Sequence, residues 1–89
     1  MSLKVAVIGV GSMGRNHARI YWELPDAKLV GVSDPVEETA NAIASKYGTK
    51  AYTDYLKMLD VEKPDAVTIS VPTVLHKDIA LQVIDRKIS

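Results

Sequence analysis

Leu3-Lys4-Val5-Ala6-Val7-Ile8-Gly9-Val10-Gly11-Ser12-Met13-Gly14 is the stretch that decides the fold. Residues 4–8 form a continuous β-favouring run, with none of the polar alternation of a half-exposed strand. Continuous runs belong to strands covered on both faces, as in parallel sheets. Three glycines follow at G-x-G-x-x-G spacing. Residues 13–24 then carry Met13, His17, Ile20, Tyr21 and Leu24 at helical spacing, and Pro25-Asp26 stops the helix.

The same alternation continues outward. Residues 29–33, Leu-Val-Gly-Val-Ser, predict a second buried strand ending at Asp34-Pro35. Asp34 as N-cap, Pro35 at the first helical position and Glu37 three residues after the cap predict a helix through Ala40, Ile43, Ala44 and Tyr47, closed by Gly48. Lys50-Ala51-Tyr52 is a candidate short edge strand. Thr53 or Asp54 caps a brief helix bearing Leu56 and Leu59, and residues 60–64 read as a connector. Residues 66–71 form the next buried strand, broken by Pro72. Thr73 caps a last helix with Leu75, Ile79, Ala80, Val83 and Ile84 on one face. Strands alternating with helices imply right-handed βαβ units. The expected class is α/β: an incomplete, doubly wound parallel sheet of the Rossmann type. It has three main strands, a short edge strand and helices on both faces. In the dinucleotide-binding strand order, the strand at Ala66 lies on the far side of the first strand from the second, and ligands sit in the crevice between them.

Composition narrows the function. The 89 residues are 47% apolar and 25% charged, with zero formal net charge and no basic run. That argues against nucleic acid, which needs clustered Lys and Arg. There is no cysteine, which excludes disulfides, thiolate metal sites and cysteine nucleophiles. No apolar run approaches the roughly 20 residues that span a bilayer, and the first residues do not resemble a signal peptide. The expectation is a cytoplasmic protein without membrane contact.

The glycine turn is a phosphate cradle. Gly9 allows the tight turn, Gly11 lets the backbone approach a pyrophosphate, and Gly14 lets the helix pack close to the strand. Ser12 and Met13 would offer backbone N–H groups at the positive end of the helix dipole. Asp34, 20 residues past Gly14 at the tip of the second strand, is placed to accept hydrogen bonds from an adenine-ribose diol. It can also serve as the helix N-cap, because a carboxylate has two oxygens. Asp34 favours NAD over NADP, since it would repel a 2′-phosphate, and Pro35, Val36, Glu37 and Glu38 supply no cation. S-adenosylmethionine binding also uses a glycine turn and an acidic second-strand end, but with a looser glycine pattern. Ser70, Pro72, Thr73 and His76 form a further constellation at the end of the Ala66 strand, where Val71 and Pro72 would wall the site near the nicotinamide ribose. The plainer alternative is that Pro72 ends a strand and His76 lies on the surface. His17 reads as a packing histidine, and the two histidines lack metal-ligand spacing, so no metal is expected.

Residues 7–18 (Val-Ile-Gly-Val-Gly-Ser-Met-Gly-Arg-Asn-His-Ala), Val32-Ser33-Asp34-Pro35 and residues 65–76 together resemble the Gfo/Idh/MocA family of glucose-fructose oxidoreductase and inositol dehydrogenase. The resemblance covers essentially the whole chain. It implies that residues 1–89 are the N-terminal part of a dinucleotide-binding domain, with the C-terminal substrate domain absent. It implies an NAD(P)-dependent oxidoreductase acting on a hydroxyl or keto group of a sugar, cyclitol or related small molecule. The cofactor residues would be Gly9, Gly11, Ser12, Met13, Gly14, Asp34, Ser70, Pro72, Thr73 and His76. The family's catalytic lysine lies in a Glu-Lys-Pro motif on the strand after the last helix, which would fall beyond Ser89. Glu62-Lys63-Pro64 copies the letters but precedes its strand, on the side of a parallel sheet away from ligands. No catalytic residue is therefore assigned, and the 89 residues alone are expected to be inactive. A non-enzymatic nucleotide-sensing or assembly module is the alternative. The free edge of the Ala66 strand is expected to promote homo-oligomers.

Overall fold

The computed structural model describes residues 3–9, 12–71, 73–86 and 88, with side chains undescribed at 12–17 and 73–76. Among the described residues eight elements follow one another: β1 (Leu3–Ile8), α1 (Ser12–Glu23), β2 (Ala27–Ser33), α2 (Glu37–Tyr47), β3 (Ala51–Tyr52), α3 (Tyr55–Glu62), β4 (Ala66–Ile69) and α4 (Thr73–Asp85). The four strands make one sheet in the order β3-β2-β1-β4, and every pairing is parallel. The Ala66 strand thus lies beside β1 on the side away from β2, as the sequence predicts.

Alternation along β1 feeds the two faces. Ala6 and Ile8 point to one core with Met58 and Leu59 of α3 and Ile79 and Val83 of α4. Val7 points to the other, with Ala18 of α1, Val32 of β2 and Ile43 and Ala44 of α2. Met58 and Leu59 are almost wholly buried, and each contributes about 1.5–3 kcal/mol by leaving water. Across the second core the Tyr21 hydroxyl and the Thr68 Oγ1 share a hydrogen bond that ties α1 to β4.

Element boundaries follow local chemistry, with departures from expectation at several ends: α1 spans Ser12–Glu23 where residues 13–24 were expected, and Thr73, the expected cap, is the first residue of α4. Gly48 closes α2 in the left-handed conformation at φ 65°, as predicted, and its N–H donates to the Ala44 carbonyl. Asp54 caps α3 by accepting from the Leu56 N–H. Asp34 does not cap α2. Val36 stays extended at φ −88°, ψ 109°, the helix starts at Glu37, and the Asp34 carboxylate instead accepts from the Val36 N–H at 2.9 Å. An Asx-type turn at Asp34-Pro35 competes with the helix and delays it. Helix α3 runs on to Glu62, where a connector was expected at residue 60, and stops only when Lys63 adopts φ 47°. Strand β4 ends at Ile69, short of Val71.

The helical faces also differ in detail. Ile20 is 47% exposed and Ile84 67% exposed, although spacing put both on buried faces. Helix α1 rests on the sheet through Ala18 and Tyr21, and α4 through Ile79 and Val83. No helix among the described residues is long and apolar enough to cross a membrane.

Candidate functional site

Parallel strands bring their C-terminal ends to one edge of the sheet, and three hydrogen bonds fix those ends together. The Gly9 N–H donates to the Ser33 carbonyl at 2.7 Å, the Ser70 N–H to the Ile8 carbonyl at 2.8 Å, and the Asp34 N–H to the Tyr52 carbonyl at 3.0 Å. The tips of all four strands, and the starts of α1 and α4, therefore meet at this edge.

Gly9 sits at φ 87°, a conformation that side chains resist. A β-carbon there would fall 2.2 Å from the Ser70 oxygen and 2.9 Å from the Val71 Cγ1. Glycine is thus required twice, for the turn and for the close approach of the two strand ends. Helix α1 begins at Ser12, so its first N–H groups have no partner within the helix. Asp34 is half-buried at the tip of β2.

Between these ends lies a hollow of about 230 Å³. It is lined by Ile8, Gly9, Ser33, Asp34 and Pro35 from the ends of β1 and β2, and by Thr53, Tyr55, Val71, Asp78 and Ile79. Its walls are mostly apolar. It is smaller than the roughly 300–1,000 Å³ of drug-sized pockets, so it suits one planar ring with part of a sugar. A nicotinamide dinucleotide fits these features: an apolar slot for a base, a carboxylate for a diol, and a helix start for the phosphates.

Of the residues expected to hold a cofactor, Gly9, Asp34 and Ser70 are brought together at this edge. Backbone positions of Ser12, Met13 and Gly14 at the start of α1, and of Thr73 and His76 at the start of α4, also lie here. The side chains of those residues and of His17, and all of Gly11 and Pro72, lie outside the described residues. Thr53, Tyr55 and Asp78 were missed. The short strand β3 delivers Thr53 and Tyr55 to the same edge by the parallel rule. Asp78 precedes the buried Ile79 in the second turn of α4.

A hollow of about 410 Å³ among the described residues is at the opposite end, lined by Leu59, Asp60, Lys63, Pro64, Asp65, Arg86 and Ile88. Lys63 belongs there, next to Asp65, whose N–H donates to the Lys4 carbonyl at the start of β1. The connector reading of Lys63 thus holds in its location though not in the helix boundary. The Arg86 Nε donates to Asp60 Oδ1 at 2.8 Å and holds that carboxyl below its ordinary pKa. Among the described residues no group of three or more His, Asp or Glu is placed to hold a metal ion.

A family model described as an oxidoreductase family with an NAD-binding Rossmann fold matches residues 3–89. Inositol 2-dehydrogenase 4 of Saccharopolyspora erythraea is 38% identical over 88 residues, covering 97% of this chain and 26% of the relative. The structure of GenD2 from gentamicin A biosynthesis, in complex with NAD, superposes with a TM-score of 0.94 at 31% identity, over 99% of this chain and 25% of that one. A myo-inositol 2-dehydrogenase from Lactobacillus plantarum superposes with a TM-score of 0.93 at 27% identity, over 100% of this chain and 27% of that one. The chain spans about a quarter of the length of these relatives.

Proposed function

The chain belongs to the Gfo/Idh/MocA oxidoreductase family, as its NAD-binding Rossmann part, and from that premise we propose that it is the N-terminal, cofactor-holding part of a dehydrogenase acting on a CH–OH group. The substrate class is a sugar, cyclitol or related polyol, carried by a substrate domain outside these 89 residues. The named inositol dehydrogenases among its relatives support this class. The observation that carries the reading is the convergence of Gly9, Asp34 and the apolar hollow on one sheet edge.

In this reading the start of α1, at Ser12, Met13 and Gly14, receives the pyrophosphate through backbone N–H groups and the helix dipole. Gly11 keeps the turn open to it. The Asp34 carboxylate accepts from the adenine-ribose hydroxyls. Ser70, Pro72, Thr73 and His76 line the half of the site that faces the nicotinamide. The nicotinamide itself supplies the hydride-transfer chemistry. The cofactor is NAD in preference to NADP, because a 2′-phosphate would meet the Asp34 carboxylate, and Pro35, Val36, Glu37 and Glu38 after it supply no cation.

Calorimetric titration of the 89-residue chain tests this. NAD is expected to bind, and NADP to bind at least tenfold more weakly. No binding of either would overturn the reading. Turnover of a polyol by these 89 residues alone is not expected, and observing it would overturn the assignment of catalysis to a further segment.

A further inference from the structure

The backbone of Asp34 leans on a very short strand. Strand β3 is Ala51 and Tyr52 alone, at the edge of the sheet. The Val32 N–H donates to the Lys50 carbonyl at 2.9 Å, and the Asp34 N–H to the Tyr52 carbonyl at 3.0 Å. An edge strand of this length makes few ladder bonds and belongs to the parts of a fold that open first. Side chains hold it down. The Tyr52 ring lies against Gly31 of β2, where an added β-carbon would come within 3.4 Å of its Cε2, and packs on the core of Met58 and Leu59. Its hydroxyl donates to Glu62 Oε2, on the last residue of α3. The Glu62 side chain is only 12% exposed, and the Lys50 Nζ lies 3.5 Å from the same oxygen. The residues on either side of Ala51 are thus tied to one carboxylate, carried by a helix whose Met58 and Leu59 are buried.

We propose that Tyr52, anchored by Glu62, is a positioning residue for Asp34: it keeps β3 docked, so that the Asp34 carboxylate stays where the ribose diol meets it. This rests on the nucleotide reading above and extends it to side chains outside the hollow. When β3 opens, the Tyr52 carbonyl leaves the Asp34 N–H, and the carboxylate loses its fixed origin. A ligand that uses the placed carboxylate then binds only the docked fraction of chains, and its apparent affinity falls by that fraction. NAD uses it through the ribose hydroxyls. NADP, whose 2′-hydroxyl is esterified, gains nothing from it. NAD binding therefore senses the state of β3, and NADP binding does not.

Calorimetric titration of NAD and of NADP into the 89-residue chain tests this. The variants are Tyr52→Phe, Glu62→Ala, Glu62→Gln and Asp34→Ala, with the first two also combined with the last. Each is compared with the wild-type circular dichroism spectrum. Tyr52→Phe and Glu62→Ala should each weaken NAD roughly three- to tenfold and change NADP less than about twofold, so the preference for NAD shrinks. Glu62→Gln keeps an oxygen for the phenol and should recover most of what Glu62→Ala loses. With Asp34→Ala already present, adding Tyr52→Phe should change NAD affinity by less than about twofold, because the group it acts through is gone. A purely structural role would weaken both dinucleotides alike, or add its full effect to Asp34→Ala, and either result overturns the proposal. So does unchanged NAD affinity in Tyr52→Phe. In those cases NAD still binds the wild type and the nucleotide reading stands, whereas a wild type that binds neither dinucleotide overturns both. If Tyr52→Phe loses the folded spectrum, Glu62→Ala, alone and with Asp34→Ala, decides by the same criteria.

Discussion

A methyl group at position 9 has nowhere to go. The Ser70 carbonyl would lie 2.2 Å away, and the backbone is already at φ 87°. Gly9→Ala combines conformational strain with a backbone clash, and should destabilise the chain by roughly 2–4 kcal/mol in urea unfolding. Gly31 offers the contrast. Its nearest atom is the Met58 Sδ at 3.0 Å, the flexible part of a side chain that can shift. Gly31→Ala should therefore cost less than Gly9→Ala. Tyr52 supplies a pH signature. Burial, then the hydrogen bond to Glu62 and the charge of that carboxylate, push its phenol up to about 12. An unfolded tyrosine titrates near 10. The folded chain thus holds the proton more tightly, so this stabilisation is complete below pH 10 and is lost as pH rises through about 12. The difference in stability between the wild type and Tyr52→Phe, followed by denaturation from pH 8 to 12, should shrink across that window. A constant difference would refute the coupling.

Two helix ends isolate what single caps contribute. An added β-carbon at Gly48 meets nothing within 4 Å, so Gly48→Ala tests the left-handed backbone alone, at φ 65°. It should cost about 1 kcal/mol. Asp54→Ala removes the acceptor for the Leu56 N–H and should cost about as much. Both are read by thermal unfolding. These ends also mark how far sequence reasoning reaches. Gly48 was legible, and the cap of α3 was narrowed to Thr53 or Asp54, because each acts on its own few residues; the structure selects Asp54. The strand order was legible because handedness and connection rules leave few choices. The start of α2 was not, since Asp34 can serve either a helix or a tight turn, and only the course of the neighbouring chain decides. The exposure of Ile84 was hidden for a related reason. Helical spacing fixes which residues share a face, but not how wide a strip the sheet beneath can cover. The rim of the hollow drew Thr53, Tyr55 and Asp78 from separate elements, and no local pattern links them.

At the scale of the molecule, the exposed surface is 5585 Å². A compact monomer of 9.7 kDa would expose about 5,100 Å² by the usual scaling. The excess goes with large apolar side chains left in water: Val61, Leu81 and Ile84 on α3 and α4 are each more than half exposed. Strand β4 pairs with β1 on one side and, among the described residues, with no strand on the other. A free strand edge beside exposed apolar helices favours association. Size-exclusion chromatography of the 89-residue chain should therefore show a concentration-dependent shift to dimers or larger species. A single monomer peak across the range would count against it.

Trp22 is the chain's one tryptophan, and its ring lies 5.5 Å from that of Tyr47, at 43° to it. One ring belongs to α1, the helix that leaves the glycine turn, and the other ends α2. The pair is therefore a native optical gauge. Light absorbed by Tyr47 will pass to Trp22 while the two helices stay docked, and the half-exposed indole will shift its emission colour as they part. Separation of α1 from α2 can be timed in an unlabelled chain, with no dye and no substitution.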